Sequence, residues 1–219
     1  MLLLGLIGVP VLSSCSSDSS AAFRTMQLAM PADMAPPANP SRPYLRVKAG
    51  GAEAYMALAY QDAQADGTRQ EVWYSATGEV VRLNNGRLAG TTGMPRDWRQ
   101  IRYETRVEWF ANTATPQRYV RWHDEMPGYR MNVREELQLQ RIAPPADVHL
   151  VDVAPVLLAW FEERVLQSTS VERLPPARYG VLGNVVVYGE QCFAPDFCVS
   201  WQRWPLPYVP PVATAGAGQ

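Results

Sequence analysis

Along most of residues 43–205 hydrophobic and polar side chains alternate with a period of two, the pattern of strands that keep one face in a core and the other in water. Ile101, Tyr103, Thr105, Val107 and Trp109 alternate with Arg102, Glu104, Arg106 and Glu108. Tyr129, Met131, Val133, Leu137 and Leu139 alternate in the same way with Arg130, Asn132, Arg134, Glu136, Gln138 and Gln140. Both stretches predict long antiparallel strands. A third is expected over 118–125, joined to its successor by Pro127 and Gly128, which suit a turn. Shorter strands are expected over 71–76, 79–83 and 87–91, broken by Thr77-Gly78 and by Asn84-Asn85-Gly86. An Asn followed by Gly accepts the positive φ angles of a type I′ hairpin turn. Segments 55–60, 185–188 and 197–204 add strands. Residues 155–167 fit two readings: a helix capped by Asp152 with Leu157, Trp160, Phe161 and Val165 on one stripe, or a strand, which is preferred. The expected fold is therefore all-β, an antiparallel sandwich or barrel-like body of long strands, with a short helix near 155–167 as the open element.

The flanks follow a different pattern. Residues 2–12 form an apolar run interrupted by Gly5, Gly8 and Pro10, too short for the roughly 20 residues that cross a bilayer. It reads as the hydrophobic region of a signal peptide, with no Lys or Arg before it. Leu12, Ser13, Ser14 and Cys15 follow and resemble the bacterial lipobox, in which the thiol takes up diacylglycerol before cleavage frees its amine. The alternative is an ordinary secretory signal with a chance cysteine. The expected organisation is a signal peptide over 1–14, a flexible tether over 15–42 from lipidated Cys15, a single β domain over 43–205 and an irregular tail over 206–219. The tether, rich in Ser, Ala, Pro and Met, would span some 80 Å at about 3.3 Å per residue. Ser16 stands where an aspartate would signal inner-membrane retention, so the lipid anchor is expected in the outer membrane, with the body facing the periplasm.

Composition narrows the function classes. A chain of 219 residues, 47% hydrophobic, buries enough surface to fold without a metal. Lys+Arg total 20 against 21 Asp+Glu, which provides no positive field for nucleic acid. With Cys15 set aside, Cys192 and Cys198 remain, and in an oxidising compartment they are expected to pair, contributing about 2 kcal/mol across so short a loop. A zinc site would need four ligands, and His123 and His149 do not stand at ligand spacing from the cysteines. No nucleophile elbow, His-Glu-x-x-His pair, P-loop or dinucleotide glycine fingerprint occurs, so no catalytic residue, metal or cofactor is expected. His123, Asp124 and Glu125 are adjacent, but on a strand Asp124 points away from the other two. Glu135 falls on the apolar face of its strand, where a buried carboxylate needs a partner that one of the arginines would supply, with a proton-handling role as the lesser alternative. The tryptophans and tyrosines are expected mainly to fill the body.

Trp73, Tyr74 and Ser75, then Gly78, then Gly86, Arg87 and Leu88, then Gly90, Thr91, Thr92, Gly93 and Met94 form a pattern that resembles the YjbF/GfcB family of outer-membrane lipoproteins, found in exopolysaccharide and group 4 capsule gene clusters. Its motif positions here are Trp73, Gly78, Gly86, Arg87, Thr92 and Gly93. Residues 184–188 and 200–205 resemble the family's closing strands, whereas the Cys192 to Cys198 insertion is not part of the resemblance. The resemblance implies a process more than a reaction: a non-catalytic lipoprotein that assists polysaccharide export by docking on an outer-membrane polysaccharide-export protein of the same cluster. A periplasmic polysaccharide-binding protein is the alternative, and a periplasmic enzyme using scattered carboxylates ranks below it. Cys15→Ala is expected to abolish palmitate labelling and signal cleavage together, since neither proceeds without the thiol. A mutant that still takes up label would refute the lipobox.

Overall fold

The structure, a computed structural model, describes residues 39, 41–64, 67–105, 109 and 115–207. Cys15 and nearly all of the expected tether and tail lie outside the described residues. The described chain forms strands β1 (Tyr44–Ala49), β2 (Ala52–Ala63), β3 (Arg69–Tyr74), β4 (Val80–Asn84), β5 (Arg87–Thr92), β6 (Asp97–Tyr103), β7 (Gln117–Met126), β8 (Arg130–Ile142), β9 (Ala159–Ser168), β10 (Ala177–Leu182), β11 (Val185–Ala194) and β12 (Phe197–Trp204). All twelve belong to one antiparallel sheet in the order β5-β4-β3-β2-β1-β12-β11-β10-β9-β8-β7-β6. The two terminal strands, β5 and β6, lie against each other, so the sheet curls into a nearly closed barrel. Of the two all-β architectures expected, the barrel is the one adopted.

Because every neighbouring pair is antiparallel, the connections fall at two ends. The chain enters at Tyr44 and leaves after Trp204 at one end, where these two residues are paired. The opposite, distal end carries the turns at 50–51, 75–79, 93–96, 127–129, 169–176 and 195–196. Cys192 and Cys198 are direct cross-strand partners in the β11–β12 hairpin and form a disulfide there.

Several expectations change at the level of single elements. The strand expected over 101–109 starts earlier, at Asp97, and runs to Tyr103, with a bulge at Gln100 that shifts its register against β7. Glu104 N–H still donates to Val120 O at 2.9 Å where the chain bends, and Arg106, Val107 and Glu108 lie outside the described residues. Trp109 is still buried, donating from Nε1 to Asn85 O at 2.9 Å. Tyr129 and Met131 do not face the core; they are 79% and 58% exposed at the distal end, beyond the point where the strands enclose an interior. Tyr129 has φ 53° and belongs to the turn. Ala76 and Glu79 likewise lie in the β3–β4 turn, where Ser75 and Thr77 hydroxyls donate to the Glu79 carboxylate. Residues 155–157 form one 3-10 turn and β9 follows, so the preferred strand reading holds from Ala159. Strands β1 and β10 had no counterpart among the expected segments.

The interior is packed from every strand's inward face, with Leu45, Trp73, Val81, Leu88, Trp98, Leu137, Phe161, Tyr179 and Trp201 almost fully buried. Two glycines make this packing possible. Gly189 sits between Tyr179 and Trp201 in the ladder, and the Trp201 indole lies flat on it, so that a Cβ would overlap the ring. Gly86, at φ 76° beside Asn85 at φ 50°, completes the expected type I′ turn and brings the β4–β5 tip across the interior onto Val186 of β11. A second apolar cluster, Val148, Leu158, Trp160, Val187 and Tyr188, lies on the outer face, where the segment before β9 covers β10 and β11. Gly189→Ala should therefore cost about 1–3 kcal/mol. The check is a lowered urea midpoint at unchanged slope.

Candidate functional site

The inward face of the barrel carries an ionic cluster as well as apolar side chains. Arg121 of β7 donates from Nε to Glu135 of β8 at 2.9 Å, and from Nη1 to Glu163 of β9 at 2.9 Å and Gln191 of β11 at 3.1 Å. Arg87 of β5 bonds the same Glu163, which also accepts from the Tyr119 hydroxyl. The Arg87 guanidinium lies over the Tyr103 ring, 3.8 Å from its centre. All these side chains except Tyr103 are buried. Two arginines face two glutamates, so the interior holds no net charge from the four. Glu135 thus has the arginine partner its sequence position requires, and the register identifies it as Arg121, directly across the β7–β8 ladder.

His123 and Glu125 share the inner face next to this cluster. His123 Nε2 donates to Glu125 at 3.1 Å, its Nδ1 lies 3.6 Å from Glu135, and Trp98 stacks on the ring at 3.8 Å. Burial, reinforced by Arg121, holds the His123 pKa below its ordinary 6.5 despite the two carboxylates. Burial alone would raise Glu163, but Arg87, Arg121 and Tyr119 outweigh it and hold the carboxyl below its ordinary value. Asp124 faces the opposite way, as alternation requires, and accepts from the Asn132 backbone N–H at 2.8 Å. The three adjacent residues therefore do not converge on one point. Every carboxylate of the cluster is engaged by a cation or hydroxyl, and the set is shut away from solvent.

The outer face holds a groove of about 460 Å³ along the seam between β5 and β6. Its walls include Tyr60, Gln70, Arg82, Thr91, Thr92, Arg99, Gln100 and Arg102, with Asp62 as the acidic member. The seam is closed by side chains: Trp98 N–H donates to Thr91 Oγ1 at 3.2 Å, and the Tyr103 hydroxyl to Leu88 O at 3.2 Å. On a regular strand residues three apart face opposite ways. Here the bulge at Gln100, held at φ 51°, puts Arg99 and Arg102 on the same outer face. Arg102 donates to Asn132 Oδ1 at 2.8 Å, and Asn132 is in turn held by Asp124. Arg82 donates to Thr92 Oγ1 at 3.1 Å.

The sequence pattern of the family described as group 4 capsule polysaccharide lipoprotein GfcB, YjbF matches residues 21–167. The chain belongs to this family. Among solved structures it is similar to the hypothetical lipoprotein YmcC from Escherichia coli (K12), with a TM-score of 0.62 and 16% identity over 80% of this chain and 92% of that one. At that identity the likeness concerns the fold. No curated protein matches the sequence.

The YjbF/GfcB motif residues fall on β3 and β5 and in the turns after β3, β4 and β5. Trp73 is buried, donating to Glu71 at 3.3 Å. Gly78 lies in the β3–β4 turn and Gly86 in the next. Gly93 donates its N–H to Asp97 at 3.0 Å. Arg87 enters the ionic cluster and Thr92 lines the groove. Of the seven tryptophans, Trp73, Trp98, Trp109, Trp160 and Trp201 are core residues. The groove itself, and the pairing of Arg99 with Arg102, has no sequence signal, since nothing around Gln100 marks a bulge.

The cluster makes stability fall on acidification in two stages. The unfolded chain protonates His123 near pH 6.5 whereas the folded chain does not, so stability declines below about pH 6.5. The contribution of Glu163 is present above about pH 4.5 and is lost as the pH falls through its lowered folded value. Urea midpoints from pH 8 down to about pH 2 should show both stages, the second only below about pH 4.5, and His123→Gln should remove the upper one alone.

Proposed function

We propose that this lipoprotein assists capsule or exopolysaccharide export at the outer membrane, without catalysis, by docking its distal end on an outer-membrane export protein. The observation that carries the reading is the group of exposed apolar side chains set among charges at the distal end; Val156 and Leu157, also exposed, lie in the β8–β9 connection near the opposite end. Val171 is 91% exposed, Tyr129 79% and Met131 58%; Tyr129 and Val171 lie in turns and Met131 near the start of β8, all at the distal end. The β7–β8 tip and the β9–β10 connection are tied together there, with Arg130 3.3 Å from Glu172 and Thr169 N–H donating to Arg134 O at 3.0 Å. An exposed apolar group rimmed by charges fits a protein partner better than a sugar. This end lies opposite Tyr44, where the chain from the expected Cys15 anchor enters. Family membership supports the polysaccharide process, and the engaged, buried state of the interior carboxylates supports a non-catalytic role.

Deleting the gene should lower surface or secreted polysaccharide, and a photo-crosslinker at Tyr129 or Val171 should capture an outer-membrane export protein. Tyr129→Asp with Val171→Asp should fold normally yet complement poorly. Normal export in the deletion strain would overturn the reading.

A further inference from the structure

We infer that the seam groove binds a carboxylated saccharide, a stretch of uronate-bearing polymer held across β4, β5 and β6. The inference rests on the export reading for the presence of a polysaccharide and adds its chemistry. Three guanidinium groups, Arg82, Arg99 and Arg102, face the groove against the single carboxylate of Asp62. Among the described residues none of the three reaches a carboxylate closer than 3.9 Å, the distance from Arg99 to Asp97, so their charge is available to a ligand. The planar fork of arginine matches a carboxylate with two parallel hydrogen bonds.

The arrangement favours a polymer over a single small anion. Arg82 stands on β4, and Arg99 and Arg102 stand on β6 beyond β5, so the charges lie roughly 10 Å apart, two strand spacings. One phosphate would need them to converge, whereas carboxylates repeated along a chain meet them in turn. Between them Gln70, Gln100 and the threonines offer amide and hydroxyl groups suited to sugar hydroxyls, and half-exposed Tyr60 at the rim offers an aromatic face to a sugar ring. Two devices hold the arginines in place: the Gln100 bulge puts Arg99 and Arg102 on one face, and the chain from Asp124 through Asn132 fixes Arg102.

The test is calorimetric titration of the lipidated protein in detergent with three probes: an oligogalacturonate, a neutral malto-oligosaccharide of equal length, and inorganic phosphate. Oligogalacturonate should bind, weakening as salt rises, and the other two should not compete. Arg99→Gln with Arg102→Gln, both on the exposed face, should weaken that binding at least about tenfold while the urea midpoint stays unchanged. Asn132→Ala should weaken it less. Equal binding of the neutral sugar, displacement by phosphate, or oligogalacturonate binding that survives both substitutions and an Arg82→Gln change would overturn the assignment. Failure here with export still dependent on the gene would remove the groove assignment alone, whereas normal export in the deletion strain removes the export role itself.

Discussion

The contact on which the rest of the fold depends is that of Arg121 with Glu135 and Glu163 inside the barrel. A guanidinium buried without a carboxylate costs several kcal/mol, and removing one partner of such a pair costs about 3–5. Strands β7, β8 and β9 must therefore assemble in the one register that brings Arg121 opposite Glu135 and within reach of Glu163. A slip of one residue would turn all inward side chains of a strand outward and leave the remaining charge unpaired. Arg87 extends the same condition to β5, which reaches the cluster only because the Asn85-Gly86 turn folds the β4–β5 tip onto β11. One neutral set of two arginines and two glutamates thus fixes both flanks of the seam from within.

That internal tie explains how the sheet comes close to closing without a backbone ladder between β5 and β6. The turn between them is short and held by Asp97, which accepts from Gly93 and Met94 N–H groups. Bulges then fall on either side, with Ala89 extra on β5 and Gln100 displaced on β6. Thr91 offers a hydroxyl to Trp98 N–H where a regular ladder would offer a carbonyl. Unpaired strand edges invite association with other chains, and charge on the edge is one way proteins prevent it. Arg99 and Arg102 stand where such protection is needed, so the groove and its charge share one origin in the incomplete ladder.

How far the sequence reveals this structure depends on whether a feature is local. The β7–β8 hairpin and the Asn85-Gly86 turn are legible because alternation and turn chemistry are properties of adjacent residues. Glu135 is legible as a paired carboxylate, since its position on an apolar face demands a cation, but the choice of Arg121 requires the register. Strand β10 is hidden by Gly180, which reads as a break. In the barrel it lies under Leu158 and Trp160, where a side chain would collide. The alternation from Ile101 to Trp109 continues in composition past the end of β6 at Tyr103, and the burial of Trp109 goes with a hydrogen bond to Asn85 that the alternation does not announce. The groove is illegible for the same reason: it arises where two strands fail to pair, and pairing is a property of the whole sheet.

The two ends of the barrel divide the proposed work. Chain entrance and exit share one end, so a lipid anchor at Cys15 would leave the distal turns free to meet a partner, while the groove runs along the side and is blocked by neither. On the proposed reading, a tether of tens of ångströms from that anchor would confine the domain near the membrane, and confinement raises the effective concentration against any partner held there. Under that condition a few exposed apolar residues and a few guanidinium groups are enough, because each contact needs only a weak intrinsic affinity. Weak contacts also suit a polymer in transit: a groove that held it tightly would stop its movement, whereas spaced arginines let one carboxylate leave as the next arrives.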